Sequence, residues 1–246
     1  MPARSDWRLA TDGYVVVIAE IDPERAARTV AAIEARDGVA TLVATDVSDA
    51  ASLEAMVAAT VEQHGRLDVL VNNAGIGHSA RLHELALDDW HRVIETTLSS
   101  AFYAVRAAVP HMIAAGGGRI INIASVQGLV GHRRNGAYNA AKGGVINLTR
   151  AIALDYAADN IRCNCICPGA VETHGREARA AGLARRSIPY PRAQTVDEVD
   201  AMHPLGRIGT PQEIAAAVSF LASPDSSFVT GAALVADGGL TVQVLA

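Results

Sequence analysis

Tyr138 and Lys142 stand four residues apart in a stretch with helical apolar periodicity, so a phenol and an ammonium share one helix face. A fixed cation beside a phenol favours the phenolate and draws its pKa down from about 10, which makes Tyr138 an acid/base candidate. Such a pair is common on helix surfaces. Composition gives it weight: of 21 Lys+Arg residues, Lys142 is the one lysine and the rest are arginine. A compact ammonium suits tasks that a planar guanidinium does less well, such as reaching ribose hydroxyls or passing a proton. Ser125 follows an apolar strand pattern, 120–124, and so stands at the sheet edge where open α/β folds dock ligands. Two other apolar runs end in glycine turns, Asn72-Asn73-Ala74-Gly75 and Pro168-Gly169.

These residues need a scaffold that brings strand ends together. Short apolar runs at 14–19, 40–44, 67–72, 119–124, 161–167 and 233–236 alternate with helical patterns at 23–36, 50–64, 87–114, 137–158 and 211–222. That alternation reads as βαβ units around a mostly parallel, doubly wound sheet, with strands apolar on both faces because helices cover both. Nothing divides the chain, so residues 1–246 read as a single Rossmann-like domain. The stretch 172–209 carries scattered glycines, prolines and arginines without clear periodicity and reads as a substrate loop or lid. Its Arg176, Arg179, Arg185, Arg186 and Arg192 could meet an anionic or polyhydroxylated substrate, although a solvated charged face is the commoner meaning of such runs.

Taken together in this order and spacing, Asn72-Asn73-Ala74-Gly75, Ser125, Tyr138-x-x-x-Lys142 and Pro168-Gly169-x-x-x-Thr173 resemble the short-chain dehydrogenase/reductase family, over roughly residues 8–240. The stretch from Pro204 to Glu213 and the turns around Thr230-Gly231 and Asp237-Gly238-Gly239 are similar too. The resemblance implies hydride transfer between a nicotinamide cofactor and an alcohol or carbonyl substrate, in a homotetramer or homodimer. It assigns Tyr138 the proton exchange with the substrate oxygen and Ser125 a hydrogen bond to that oxygen. It assigns Lys142 the nicotinamide ribose and the lowering of the tyrosine pKa. By the same resemblance Asn73, Ala74 and Gly75 line the adenosine ribose, Asp46 and Val47 the adenine, and Pro168, Gly169, Val171 and Thr173 hold the nicotinamide. Glu20 falls where the family places its ribose-reading acid; a carboxylate there accepts from free hydroxyls and repels a 2′-phosphate, so NAD is expected over NADP.

Two departures from the family pattern stand out. The family opens with a strand and a glycine-rich turn whose amides hold a pyrophosphate. Here residues 8–13 read as the end of the helix after that motif, so a first βα unit on the order of 20 residues is expected to be absent. A start upstream of Met1 would account for this equally. The run Gly75-Ile76-Gly77-His78-Ser79-Ala80 fits G-x-G-x-x-A formally, but no long helix follows it. The second departure is Thr97, where the family usually has an asparagine that holds a water in the relay beyond the lysine; a weakened relay is expected.

Other classes receive little support. The net charge of −5 offers no basic stripe for nucleic acid. No apolar run spans a bilayer and no signal peptide is legible at the start, so a cytoplasmic protein is expected. Cys163, Cys165 and Cys167 alternate on one strand face and read as small buried hydrophobes, and no metal is expected from them or from the histidines. Two competing functions stay open: a catalytically impaired family member serving as a partner subunit or scaffold, and a cofactor-free enzyme like the halohydrin dehalogenases. The second resembles this family with arginine in the lysine position, so Lys142 argues against it.

Overall fold

A computed structural model describes residues 4–172 and 195–243. Its strands are β1 (Val16–Glu20), β2 (Ala40–Ala44), β3 (Val69–Asn72), β4 (Gly118–Ile123), β5 (Ile161–Pro168) and β6 (Ala233–Ala236), each within two residues of an apolar run in the sequence. The helices are α1 (Arg4–Thr11), α2 (Pro23–Glu34), α3 (Ala50–His64), α4 (Leu87–Ile94), α5 (Ser100–Ala114), α6 (Gly136–Asp155), α7 (Val196–Ala201) and α8 (Pro211–Ala222). Thr173 and most of the 172–209 stretch, including its five arginines from Arg176 to Arg192, lie outside the described residues. Among the described residues, no helix is long and apolar enough to cross a membrane.

Local chemistry starts and stops these elements. Asp22 accepts from the amides of Glu24 and Arg25 with Pro23 in the first turn of α2. Thr210 and Glu213 form a reciprocal capping box on α8, behind Pro211. The single helix expected over 87–114 is instead α4 and α5 joined by a π turn at Glu95–Ser99. That wider turn holds Thr97, whose hydroxyl accepts from the Ile76 amide and donates to the Ile76 carbonyl, both at 3.1 Å.

The strands alternate their side chains between two helical layers. Ile120 and Cys163 pack with Leu53, Val57 and Val109 of α3 and α5, while Ile121 and Ile166 pack with Leu9, Ile33 and Val218 of α1, α2 and α8. All pairings are parallel, as expected for a doubly wound sheet. The sheet is interrupted, however: β2 pairs with β1, and β3-β4-β5-β6 form a separate run. Between β1 and β3 lies a cavity of about 1020 Å³. The three cysteines are fully buried on β5, and burial pushes the Cys163 thiol up to about 12, which suits an inert hydrophobe.

Candidate active site

The carboxyl ends of β3, β4 and β5 meet the amino-terminal turns of α6, and this junction gathers the reactive side chains. Lys142 is 3% exposed, and its Nζ donates to the Ile123 carbonyl at 2.5 Å. Burial lowers its pKa from the usual 10.5 to about 8, with the Cys167 and Cys165 thiols opposing that shift. The ammonium sits 5.6 Å from the centre of the Tyr138 ring. The expectation that it holds the phenol below its ordinary pKa needs correcting. Burial pushes the Tyr138 phenol up, and the opposing pull comes from a hydrogen bond with Ser125. A desolvated phenol at this distance from an ammonium that is itself bonded to a carbonyl stays in its acid form.

Ser125 is buried at the end of β4 and accepts from the Gln127 amide at 3.1 Å, which starts the short 3₁₀ turn Val126–Gly128. That turn lies against α6 so closely that a Cβ on Gly128 would come within 2.6 Å of the Lys142 backbone carbonyl carbon. Glycine there is a packing requirement, since it lets Ser125 approach Tyr138. Gly75 has a similar role: an added Cβ would stand 3.3 Å from Lys142 Nζ and 3.4 Å from Thr97 Cγ2. Thr97 thus faces the lysine, and it fixes the loop after β3 through Ile76.

Most expected cofactor residues line one cavity with this group. Asn73, Ala74, Gly75, Val47, Pro168, Gly169 and Val171 all do so, as do Ser125, Tyr138 and Lys142. Glu20 lines it at the end of β1, but its Oε1 already accepts from the amides of Ile21 and Asp22 and from Arg25 Nη2 at 2.7 Å. Asp46 is not part of the lining; its carboxylate accepts from the amide and hydroxyl of Ser48, which hold it below the usual range. Thr173 lies outside the described residues.

Three contributors escaped the sequence reading. Asn72 Nδ2 donates to Asn122 Oδ1, and Asn122 Nδ2 donates to Thr149 Oγ1, both at 2.8 Å. Asn122 and Thr149 are fully buried, so this chain ties β3, β4 and α6 together beneath the site. An asparagine inside the apolar run Ile120-Ile121-Asn122-Ile123 was the available signal. Arg25 is the third: it also lines the cavity, beside Glu20. Only the tertiary structure puts it there.

Comparison with known proteins gives the family of the chain. The sequence profile of a family described as Enoyl-(Acyl carrier protein) reductase matches residues 7–241. The cis-4-hydroxycyclohexanecarboxylate dehydrogenase of Sinomonas cyclohexanicum is 42% identical over 234 residues, covering 95% of this chain and 89% of the relative. The cyclohexanol dehydrogenase of an Acinetobacter species (strain SE19) is 38% identical over 95% of this chain and 87% of its own length. A crystal structure of a Burkholderia xenovorans protein assigned to the short-chain dehydrogenases/reductases superimposes with a TM-score of 0.91 at 32% identity, over 99% of this chain and 91% of that one. A gluconate 5-dehydrogenase from Burkholderia cenocepacia J2315, in complex with NADP and tartrate, gives 0.87 at 34% identity, over 98% and 90%.

Proposed function

The chain belongs to the short-chain dehydrogenase/reductase family, and from that premise we propose that it transfers hydride between NAD(H) and an alcohol or carbonyl compound, with Tyr138 exchanging the proton. The observation that carries this reading is the convergence of Ser125, Tyr138 and Lys142 on one cavity that Asn73, Gly75, Pro168 and Gly169 also line. The residues fit a nicotinamide dinucleotide at this end: the approach of Gly75 to Lys142 leaves backbone and ammonium open to a sugar without a side chain between them. Lys142 and Asn73 would hold its riboses, and Pro168, Gly169 and Val171 its nicotinamide. When bound, the cofactor supplies or accepts the hydride.

The protein's own part is the proton. In the reducing direction the Tyr138 phenol donates to the substrate oxygen, and the Ser125 hydroxyl donates a hydrogen bond to the same atom. The raised phenol pKa keeps the donor protonated at neutral pH, and the Lys142 ammonium stabilises the phenolate left behind. The names of the cyclohexanol and hydroxycyclohexanecarboxylate relatives support a secondary alcohol or the matching ketone as substrate. Glu20 supports NAD, while its pairing with Arg25 softens the repulsion that a 2′-phosphate would meet.

The test is NADH oxidation by purified protein against a panel of cyclic ketones. Turnover should fall by roughly 10²–10⁴-fold in Tyr138→Phe. Absence of both turnover and any NADH-induced rise in melting temperature would sink the proposal. The interruption between β1 and β3 favours a second reading, in which the fold serves as a partner subunit without turnover. NADH oxidation that depends on Tyr138 rules that out.

A further inference from the structure

A second cavity, of about 500 Å³, opens where the loop after β3 meets the loop before α6. Arg81 lines it from the first loop and His132, Arg133 and Arg134 from the second, with Gly136 and Asn139 of α6 beside them. No carboxylate lines it. That sets these arginines apart from the others: Arg8, Arg25, Arg66, Arg92, Arg106 and Arg207 each stand within ion-pair distance of an acid. Among the described residues, the guanidiniums of Arg81, Arg133 and Arg134 have no such partner. Glu84, the acid nearest to Arg81 in the chain, is engaged with the Arg81 amide at 3.4 Å and with His83 Nε2 at 3.7 Å. Cations gathered in this way repel one another, and an entering anion relieves that repulsion.

The walls of this cavity are held in place. The Ala80 amide donates to the Arg134 carbonyl at 2.8 Å, and Asn139 Nδ2 donates to the His132 carbonyl at 2.9 Å. Arg134 is kept at φ 62°, a left-handed backbone that a long side chain rarely adopts. Strain of this kind persists where the surroundings impose it, and it gathers at ligand-holding sites. Asn135, at the amino end of α6, donates to Gln127 Oε1 and caps none of the first-turn amides, so the positive end of a 20-residue helix adds to the field of the arginines. The cavity also adjoins Tyr138. A Cβ on Gly77 would stand 3.6 Å from the Tyr138 ring, and one on Gly136 would collide with Leu82, so segment 77–82 runs from the phenol ring to the cavity.

We propose that this cavity holds the anionic end of the substrate, so that the compound reduced or oxidised is a ketone or secondary alcohol carrying a carboxylate or a similar oxyanion. This rests on the hydride-transfer reading given above. The reacting carbonyl lies at Tyr138 and Ser125, the body of the substrate crosses segment 77–80, and the far oxyanion reaches Arg81, Arg133 and Arg134. Guanidiniums suit that end, because their planar donor forks match the two oxygens of a carboxylate. The same cations contribute nothing to an uncharged ketone, so they set substrate choice and leave the proton transfer to Tyr138.

The experiment compares 4-oxocyclohexanecarboxylate with its methyl ester, which has the same ring and no charge, as substrates of the full chain with NADH. The acid should exceed the ester in kcat/KM by at least about tenfold, and the triple variant Arg81→Gln, Arg133→Gln, Arg134→Asn should bring the ratio below about twofold through KM for the acid. Asparagine tolerates the left-handed backbone at 134, so the loop keeps its path. A parallel titration calorimetry series uses cyclohexanecarboxylate and cyclohexanecarboxamide, neither of which has a reacting carbonyl. The carboxylate should bind at least about tenfold tighter than the amide to the wild-type chain and no tighter to the variant. Equal treatment of charged and uncharged compounds, or a preference that survives in the variant, overturns the proposal. Turnover of both ketones at the same kcat/KM would sink the anion subsite alone; if neither ketone turns over, the enzymatic reading fails and the calorimetry still decides whether the cavity takes an anion.

Discussion

The β3-β4-β5-β6 sheet and the β1-β2 pair are built from similar apolar runs, yet they are held in different ways. In the four-stranded sheet Ile120, Ile121, Cys163 and Ile166 are fully buried, and the Asn72–Asn122–Thr149 chain fixes strand to strand and strand to helix. In the two-stranded sheet Leu42 is 42% exposed, and support comes from packing on α1, α2 and α8 on one side and, through Val43, on α3 on the other, with no side-chain tie to β3 among the described residues. The reactive groups ride on the firm half. Of the residues expected to read the adenosine end, Glu20, Asp46 and Val47 follow the strands of the loose half, whereas Asn73, Ala74 and Gly75 follow β3 on the firm one. Proton transfer needs side chains held to fractions of an ångström, whereas an adenosine grip can be completed as other groups arrive.

The largest expected effect tests the firm half directly. Lys142→Met should lower carbonyl reduction by at least roughly 10²-fold, because it removes the cation behind the phenolate. The same change should raise the melting temperature. Burial depresses the folded pKa of Lys142 to about 8 against 10.5, so below pH 8 the native state carries a charge it disfavours. That sign also fixes a pH profile in the wild-type protein. The ammonium is lost as pH rises through about 8, and kcat/KM for carbonyl reduction should fall above it, while stability rises between 8 and 10.5. A flat profile across that window would remove Lys142 from the proton chemistry.

Next comes a comparison of the two halves by stability. Asn122→Ala leaves Asn72 and Thr149 short of partners and should cost about 2–4 kcal/mol in urea unfolding, with faster exchange across the whole β3–β6 sheet. Val43→Ala in β2 should cost about 1 kcal/mol and speed exchange mainly in β1 and β2. Equal costs, or exchange that spreads over both sheets in both variants, would mean that the halves unfold together. The smallest effect concerns cofactor choice. Arg25→Ala unmasks the Glu20 carboxylate, and preference for NADH over NADPH should rise by up to about fivefold, the range for an exposed ion pair. A fall in preference would show that Glu20 does not face the ribose.

Much of this was legible in the chain itself. The i, i+4 spacing of Tyr138 and Lys142 and the glycine turns after β3 and β5 are local patterns, and the strands follow the apolar runs within two residues. What failed did so for a tertiary reason. The 87–114 helix reads as continuous because its periodicity survives a single π turn, which exists to bring Thr97 onto Ile76. Spacing alone suggests a lowered tyrosine pKa, but once the helix is packed burial pushes the phenol up and outweighs the hydrogen bond with Ser125. Asn122 looked like an interruption in an apolar strand until its partners 50 and 27 residues away came into contact.

By itself the sequence determined the strands, most of the helices, their order and the chemical types placed at the strand ends, since these depend on periodicity and residues near one another in the chain; the break in 87–114 and the short helix α7 inside 172–209 were not legible. Only the tertiary structure decided which charges are desolvated, that Asn122 ties β3 to α6, and that the β1-β2 pair stands apart from the four-stranded sheet. Burial, hydrogen-bond completion and strand pairing are properties of neighbours distant in sequence, and no spacing along the chain encodes them.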